Sequence, residues 1–385
     1  MSETSTLPLE GNGMSGPTVL FDEFPTRDGG RIGVATLNAP KSLNALSLEM
    51  IHQLTTKLDA WAADRNVVAV WLDGAGDKAF CAGGDVVALY RAMTDDAKEG
   101  VAYAETYFAA EYRLDYRIHR YPKPLLVWGN GIVMGGGLGL MAGGGYRLAT
   151  ENTRIAMPEI TIGLYPDIGA SWFLNRMPPG VGAYLGLTGA QLNARDALDL
   201  GLADRAIPGD SREALLGALE EADYGSRSCK ALHAGVHDVL NRFERRDILP
   251  AAQVWPHLDH IQALLGCADA ASATRRILDD AHDDDWLSAN RARLEVGCPL
   301  TAQLVWRMLE RHRNGSLAEA FREEWTLSVQ CCRRGDLVEG VRALLIDKDK
   351  APRWSHTSVS AVPETDVDAM LEPLCPADEH PLRDL

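Results

Sequence analysis

The spacing of apolar and polar residues changes character along this chain, and each change predicts a different kind of element. Near the start, two short apolar-rich runs, Val19 to Phe24 and Arg31 to Leu37, flank Asp28-Gly29-Gly30, which predicts a hairpin. Asn38 to Ser42 reads as a turn. Leu48, Ile51, Leu54, Leu58 and Trp61 then recur at helical spacing, with Ser47 placed to cap that helix. Val67 to Leu72 is apolar without interruption, the pattern of a strand covered on both faces, and Asp73 to Asp77 is the loop that ends it. Helices are predicted over Val86 to Met93 and, mostly polar, over Ala97 to His119. Another apolar run, Leu125 to Trp128, reaches Gly129 and then a glycine cluster (Gly135, Gly136, Gly137, Gly139); a second cluster spans Gly143 to Gly145. Gly180 to Leu187 and Asn193 to Leu200 read as helices. Strands alternating with helices predict an α/β layer fold with a largely parallel sheet.

From about Asp223 the strand signals stop. Ala231 to Phe243, Ile261 to Ile277, Ala302 to Arg311 and Leu317 to Cys332 are helical by period. The organisation expected is therefore a lead-in at 1–17, an α/β core at 18–222, a helical C-terminal region at 223–355 and a tail at 356–385. Prolines and acids in the tail predict loose packing. The acidic stretch from Asp279 to Asp285 lacks an EF-hand pattern and reads as a solvated loop.

Composition narrows the function. The chain has 385 residues, 46% of them hydrophobic, which is enough for a substantial core plus an appendage. A formal charge of −16 argues against nucleic acid and against an anionic membrane surface. It leaves room for a small anionic ligand held by local lysines and backbone amides. No apolar run approaches the ~20 residues of a membrane span. Early acid and the lack of an apolar or arginine-rich amphipathic segment in residues 1–17 predict a disordered, cytoplasmic lead-in. The seven cysteines form no CxxC pair and are expected to be reduced thiols.

The candidate chemistry lies between Leu125 and Phe173. Three consecutive glycines, Gly135 to Gly137, leave backbone N–H groups uncovered, and a helix starting there would aim unpaired donors at one point. That arrangement suits a developing oxyanion. Two carboxylates follow: Glu159 after Met157-Pro158, and Asp167 eight residues later. Glu159 read alone is also a surface glutamate, Asp167 a helix cap before Ile168-Gly169, and Glu111 a solvated residue on a polar helix. Cys81 has no base partner nearby and reads as a packing residue. His233 and His237 stand at i and i+4 but lack the HExxH glutamate and a third ligand, so no metal site is assigned. Gly137-Leu-Gly139-Leu-Met-Ala142 imitates a dinucleotide fingerprint, with Glu159 twenty residues beyond Gly139. In a dinucleotide fold that acid closes a second apolar strand, whereas here Thr153-Arg-Ile-Ala-Met-Pro158 precedes it.

Lys78-Ala-Phe-Cys-Ala-Gly-Gly-Asp85, Met134-Gly-Gly-Gly137 and Met157-Pro-Glu-Ile-Thr-Ile-Gly163 resemble the enoyl-CoA hydratase/isomerase (crotonase) superfamily. Gly163-Leu-Tyr-Pro-Asp-Ile-Gly169 is similar to its 3-hydroxyisobutyryl-CoA hydrolase branch, as are Cys298-Pro-Leu-Thr301 and Glu339 to Lys350 with Pro352 and Trp354. The resemblance covers roughly residues 18 to 355. It implies a spiral of ββα units completed by a helical C-terminal region, and a coenzyme A thioester as substrate rather than cofactor. It implies that the peptide N–H groups of Gly84 and Gly136 polarise the thioester carbonyl, each donor worth about 3–4 kcal/mol in the barrier. Glu159 matches one catalytic glutamate of the hydratases; the other falls at Gly139, which has no side chain. Asp167 and Glu111 match the hydrolase branch, while Ala170-Ser171-Trp172 replaces a glycine-rich sequence common there. Lys41, Lys78 and Ala82 are the candidate contacts to the coenzyme A part. The expected reaction is hydrolysis of a short 3-hydroxyacyl-CoA, foremost 3-hydroxyisobutyryl-CoA in valine breakdown. The competing expectations are a hydratase or isomerase working with one carboxylate, and a non-catalytic CoA-binding protein. No nucleic acid or membrane partner is expected, and a homo-oligomer is left open.

Overall fold

A computed structural model describes residues 16–334 and 336–385. Of the lead-in expected over 1–17, residues 1–15 lie outside the described residues.

The hairpin forms as its turn residues dictate. Strands β1 (Val19–Pro25) and β2 (Arg31–Leu37) pair antiparallel with Pro25 opposite Arg31, and Gly29 turns the chain at φ 79°. Helix α1 (Leu48–Ala63) starts where Ser47 Oγ accepts from Met50 N at 3.2 Å, and it buries Ile51, Leu54, Leu58 and Trp61. Strand β3 (Val67–Gly74) is buried from Val67 to Asp73 and runs parallel to β2. Its side chains alternate between two apolar clusters: Val67, Val70 and Leu72 face one, Val68 and Trp71 the other. The second cluster is closed by Leu215 and Leu219 of the Arg212–Glu220 helix and by Val236 and Leu240 of the Cys229–Phe243 helix. A helix from beyond residue 222 thus covers one face of the core sheet.

The chain then repeats one manoeuvre. Strand β4 (Ala79–Cys81) leads to α2 (Val86–Asp95) and α3 (Ala97–His119). Strands β5 (Leu125–Gly129) and β6 (Ile132–Met134) lead to α4 (Gly136–Ala142). Strands β7 (Tyr146–Ala149) and β8 (Arg154–Ala156) lead to a 3-10 turn, Glu159–Ile162. Short strands β9 (Leu192–Asn193) and β10 (Arg205–Ala206) finish the two sheets, ordered β1-β2-β3-β5-β7-β10 and β4-β6-β8-β9. Each turn lays one strand in the larger sheet and the next in the smaller, and all pairings except β1-β2 and β8-β9 are parallel. This is the expected spiral. Strands β4, β6 and β8 have three residues each, too few to show a period, which is why the sequence pattern passes over them.

Two local expectations change. The single helix predicted over Ile261 to Ile277 is two, Leu258–Leu265 and Ala270–Leu278: Gly266 ends the first, and Asp269 caps the second by accepting from Ser272 N at 2.7 Å. The acidic stretch is the expected loop, with Asp279 and Asp283 exposed, and at its end Asp284 caps the Asp285–Glu295 helix. The segment after Trp354 packs firmly. Its Glu364–Met370 helix buries Val367 and Met370, Leu382 is fully buried, and Arg307 grips Glu364 and Asp368.

Candidate active site

Adjacent parallel strands end at the same edge, so the segments leaving β4, β6 and β8 must converge. A cavity of about 200 Å³ lies there, walled by Ala82 to Gly84, by Gly135 and Gly136, and by Pro158, Glu159 and Asp167. Helix α3 supplies Tyr107, Phe108 and Glu111, and Leu344 and Leu345 close the wall from the far end of the chain. Backbone packing fixes that last contact. A Cβ on Gly163 would meet Asp336, and one on Gly340 would meet Ile162, so the C-terminal segment sits directly on the turn that carries Glu159.

Two turns of left-handed backbone shape the donor pair: Gly83 has φ 120° and Gly135 has φ 47°. Gly136 opens α4, so its N–H has no partner within the helix, and the N–H of Gly84 finds no acceptor among the described residues. They are neighbours, for a Cβ on Gly136 would lie 3.3 Å from Gly84 N. Tyr107 stands above them, its hydroxyl donating to Leu46 O at 2.8 Å.

Three carboxyl groups surround this pair. Glu159 is 4% exposed and leads its 3-10 turn; its Oε1 lies 3.2 Å from where a Cβ on Gly135 would be, and its Oε2 is buried without a partner. Asp167 accepts from the Tyr112 hydroxyl at 2.5 Å, and that hydroxyl also meets Ser328 Oγ at 2.6 Å. Ile168, β-branched yet at φ 57°, holds the backbone beside Asp167 in a strained form. Asp167 does not cap the following helix: Gly169 N and Ser171 N donate to the Glu324 carboxylate, at 2.7 and 3.1 Å. Glu111 is buried against Gly136 instead of solvated. Burial raises the pKa of Glu159, Asp167 and Glu111. The charge of Asp167 raises the other two further, while the Tyr112 hydrogen bond opposes the rise at Asp167 itself. Carboxyls this close share protons, so the group can pass from acid to base within one site. A carbonyl oxygen held by the two N–H groups would place its carbon beside Glu159. The Cys81 thiol is buried and pushed up to about 12, which removes it as a nucleophile at neutral pH.

Comparison with known proteins places the chain in a family. The enoyl-CoA hydratase/isomerase family profile matches residues 32–371. The chain belongs to the enoyl-CoA hydratase/isomerase family. Among its relatives, 3-hydroxyisobutyryl-CoA hydrolase, mitochondrial, of Danio rerio is 36% identical over 370 residues, covering 96% of this chain and 92% of the relative. The Homo sapiens protein of that name is 34% identical, covering 92% and 89%. 3-Hydroxyisobutyryl-CoA hydrolase 1 of Arabidopsis thaliana is 35% identical, covering 89% of each. Among solved structures, an enoyl-CoA hydratase from Rhodobacter sphaeroides 2.4.1 superposes with TM-score 0.80 at 32% identity, covering 93% of this chain and 98% of that one. A carnitinyl-CoA dehydratase from Mycobacterium thermoresistibile gives 0.81 at 32%, covering 94% and 98%.

Within this family member, the structure brings Gly84, Gly136, Glu111, Glu159, Asp167 and Ala82 to one cavity. Ala82 N is already committed to Leu43 O at 3.0 Å. Lys41 and Lys78 are exposed on surface turns and do not join the wall. His233 and His237 go to different partners, the Tyr146 hydroxyl and Arg205, each at 3.0 Å. Glu159 opens a 3-10 turn after a three-residue strand, unlike the acid of a dinucleotide fold. Beside Gly139, where a hydratase would carry its second glutamate, the space is filled by Asp115, whose Oδ2 lies 2.7 Å from a Cβ built there. Sequence reasoning missed Tyr112, Ser328, Glu324, Asp115, Leu344 and Leu345. Tyr112 adjoins Glu111 and was within reach of a motif; Ser328 and Glu324 sit on a distant helix with no local signal.

Proposed function

We propose that this chain hydrolyses a short 3-hydroxyacyl-CoA, foremost 3-hydroxyisobutyryl-CoA, to the free hydroxy acid and coenzyme A, a step of valine breakdown. One observation carries the reading: Glu159 stands beside the paired N–H groups of Gly84 and Gly136, while Gly139 offers no second carboxylate. The names of the relatives, hydrolases at 34–36% identity over most of the chain, support it.

In this reading the thioester oxygen accepts from Gly84 N and Gly136 N, which stabilises the oxyanion. Glu159 acts on the polarised carbon, by drawing a proton from water or by direct attack; both need its ionised form. Asp167, steadied by Tyr112, and Glu111 orient the substrate hydroxyl or the water. Coenzyme A enters as part of the substrate, with Lys41, Lys78 and Ala82 as its contacts, and no further cofactor is required. The seven free thiols fit a reducing compartment such as the cytoplasm, although the vertebrate relatives are mitochondrial by name.

The names of the two solved structures favour hydration of a double bond as the second reading. One assay separates them. Purified protein is given 3-hydroxyisobutyryl-CoA with a thiol reagent, and crotonyl-CoA with enoyl absorbance followed. Thiol release from the first is expected; loss of enoyl absorbance without thiol release would reverse the assignment.

A further inference from the structure

Two helices face each other with matched periodicities. On α3, Glu111, Asp115 and His119 stand at i, i+4 and i+8, one face of the helix. Opposite them, Gly136, Gly139 and Gly143 follow the spacing of one face of α4 and its C-terminal cap. The two rows interlock. A Cβ on Gly136 would strike Glu111 Oε1, one on Gly139 would lie 2.7 Å from Asp115 Oδ2, and one on Gly143 would lie 3.0 Å from His119 Cδ2. Each glycine leaves room for one titratable side chain.

Glu111 Oε1, both oxygens of Asp115 and His119 Nε2 are buried without a hydrogen bond among the described residues. Glu111 is 2% exposed and Asp115 is 0% exposed. Buried polar atoms left unpaired cost stability, so three in a row call for a reason beyond packing. The row begins in the cavity wall with Glu111 and ends at His119, which is only partly buried, between the rings of Trp172 and Phe321. Neighbours four apart on a helix have Cβ atoms about 5–6 Å from each other, a gap that one water molecule can span.

We propose that Glu111, Asp115 and His119 form a proton relay that carries the proton released by hydrolysis from the cavity to the far end of α3. The inference rests on the hydrolase reading. In that reaction the water oxygen bonds to the thioester carbon, the C–S bond breaks and its electron pair goes to sulfur. One water proton ends on the coenzyme A thiolate. The other ends on the new carboxyl group, which ionises at neutral pH, so each turnover leaves one proton to discharge. The row on α3 leads away from the cavity wall, from Glu111 to the partly buried His119. The groups facing the row fit transient protonation. Burial, followed by the charges of Glu111, Asp167 and Glu324, raises the pKa of Asp115. Burial and then the charge of Arg147 lower His119 to about 4, so the imidazole rests neutral, able to accept on one nitrogen and donate from the other.

The test uses the full chain with Asp115→Asn, which keeps the shape but cannot pass a proton, and His119→Ala, which opens a site for free imidazole. Hydrolysis of 3-hydroxyisobutyryl-CoA is followed in dilute buffer with and without imidazole, together with melting temperature. In both variants kcat should fall about tenfold with KM within twofold, less than the loss of a group acting in the transition state. Imidazole should restore most of the rate in His119→Ala, and Asp115→Asn should melt no lower than wild type. A kcat within twofold of wild type in both variants would overturn the relay, as would a fall in His119→Ala that imidazole leaves unchanged. A wild type that releases no thiol would instead sink the hydrolase reading itself.

Discussion

Burial raises the pKa of Glu159 first, and the charge of Asp167 adds to the rise. In the proposed mechanism the active form is the carboxylate, so the acid limb of kcat/KM belongs above the ordinary glutamate value of about 4.3. Asp167→Asn removes one cause and leaves the burial. Its acid limb should move to lower pH while kcat falls by roughly tenfold or more, the mark of an interaction made mainly in the transition state. A limb that stays at the wild-type pH would mean that Glu159 does not feel this charge. Single residues were legible in the sequence where their chemistry is local. Glycines after a strand and a carboxylate after Met-Pro can be read within a few residues of each other. The partners that tune them cannot: Tyr112 reaches Asp167 across 55 residues and Ser328 reaches Tyr112 across 216.

Helix α4 owes its place to its glycines, which let it lie against α3 closely enough for Gly136 N to point into the cavity. This fixes what a graft of hydratase chemistry would do. Gly139→Glu would drive a side chain into Asp115 and into Ile168, whose Cβ is 3.0 Å from the new Cβ. The variant should lose about 2–3 kcal/mol of stability from overpacking, read from its denaturant midpoint, and should gain no crotonyl-CoA hydration. An unchanged midpoint would show that the two helices separate easily. Among the elements, α1 and α3 were readable because each is long enough to display a period, and β3 because its apolar run is unbroken. Strands of three residues display none, and their direction is set by neighbours in the sheet. The polar appearance of α3 misled for a related reason: its buried face includes Glu111 and Asp115, which composition counts as charged.

The core and the C-terminal region work as one body at the site. Glu324, on the Leu317–Arg334 helix and 0% exposed, accepts from Gly169 N, Ser171 N and Ser171 Oγ, and so holds the turn after Asp167 in place. Glu324→Ala would leave two buried N–H groups unpaired. It should cost about 3 kcal/mol in thermal or denaturant unfolding and lower kcat through Asp167, although Glu324 does not line the cavity. Full activity with full stability would separate the two regions functionally. The family resemblance implied the spiral, while sequence pattern read the α/β layering, the largely parallel sheet and the helical region. It misjudged the residues after Trp354, because the groups that order them, Arg113, Arg307 and Arg322, come from earlier helices.

The proposed hydrolysis depends above all on Glu159 acting beside two peptide N–H groups. The most direct measurement is single-turnover hydrolysis of 3-hydroxyisobutyryl-CoA by wild type and Glu159→Gln, with coenzyme A affinity measured alongside. The substitution keeps size and hydrogen bonding but removes the charge needed by a base or a nucleophile. Hydrolysis should fall by ~10² or more with affinity within a few-fold. Near-normal hydrolysis by Glu159→Gln would contradict that role.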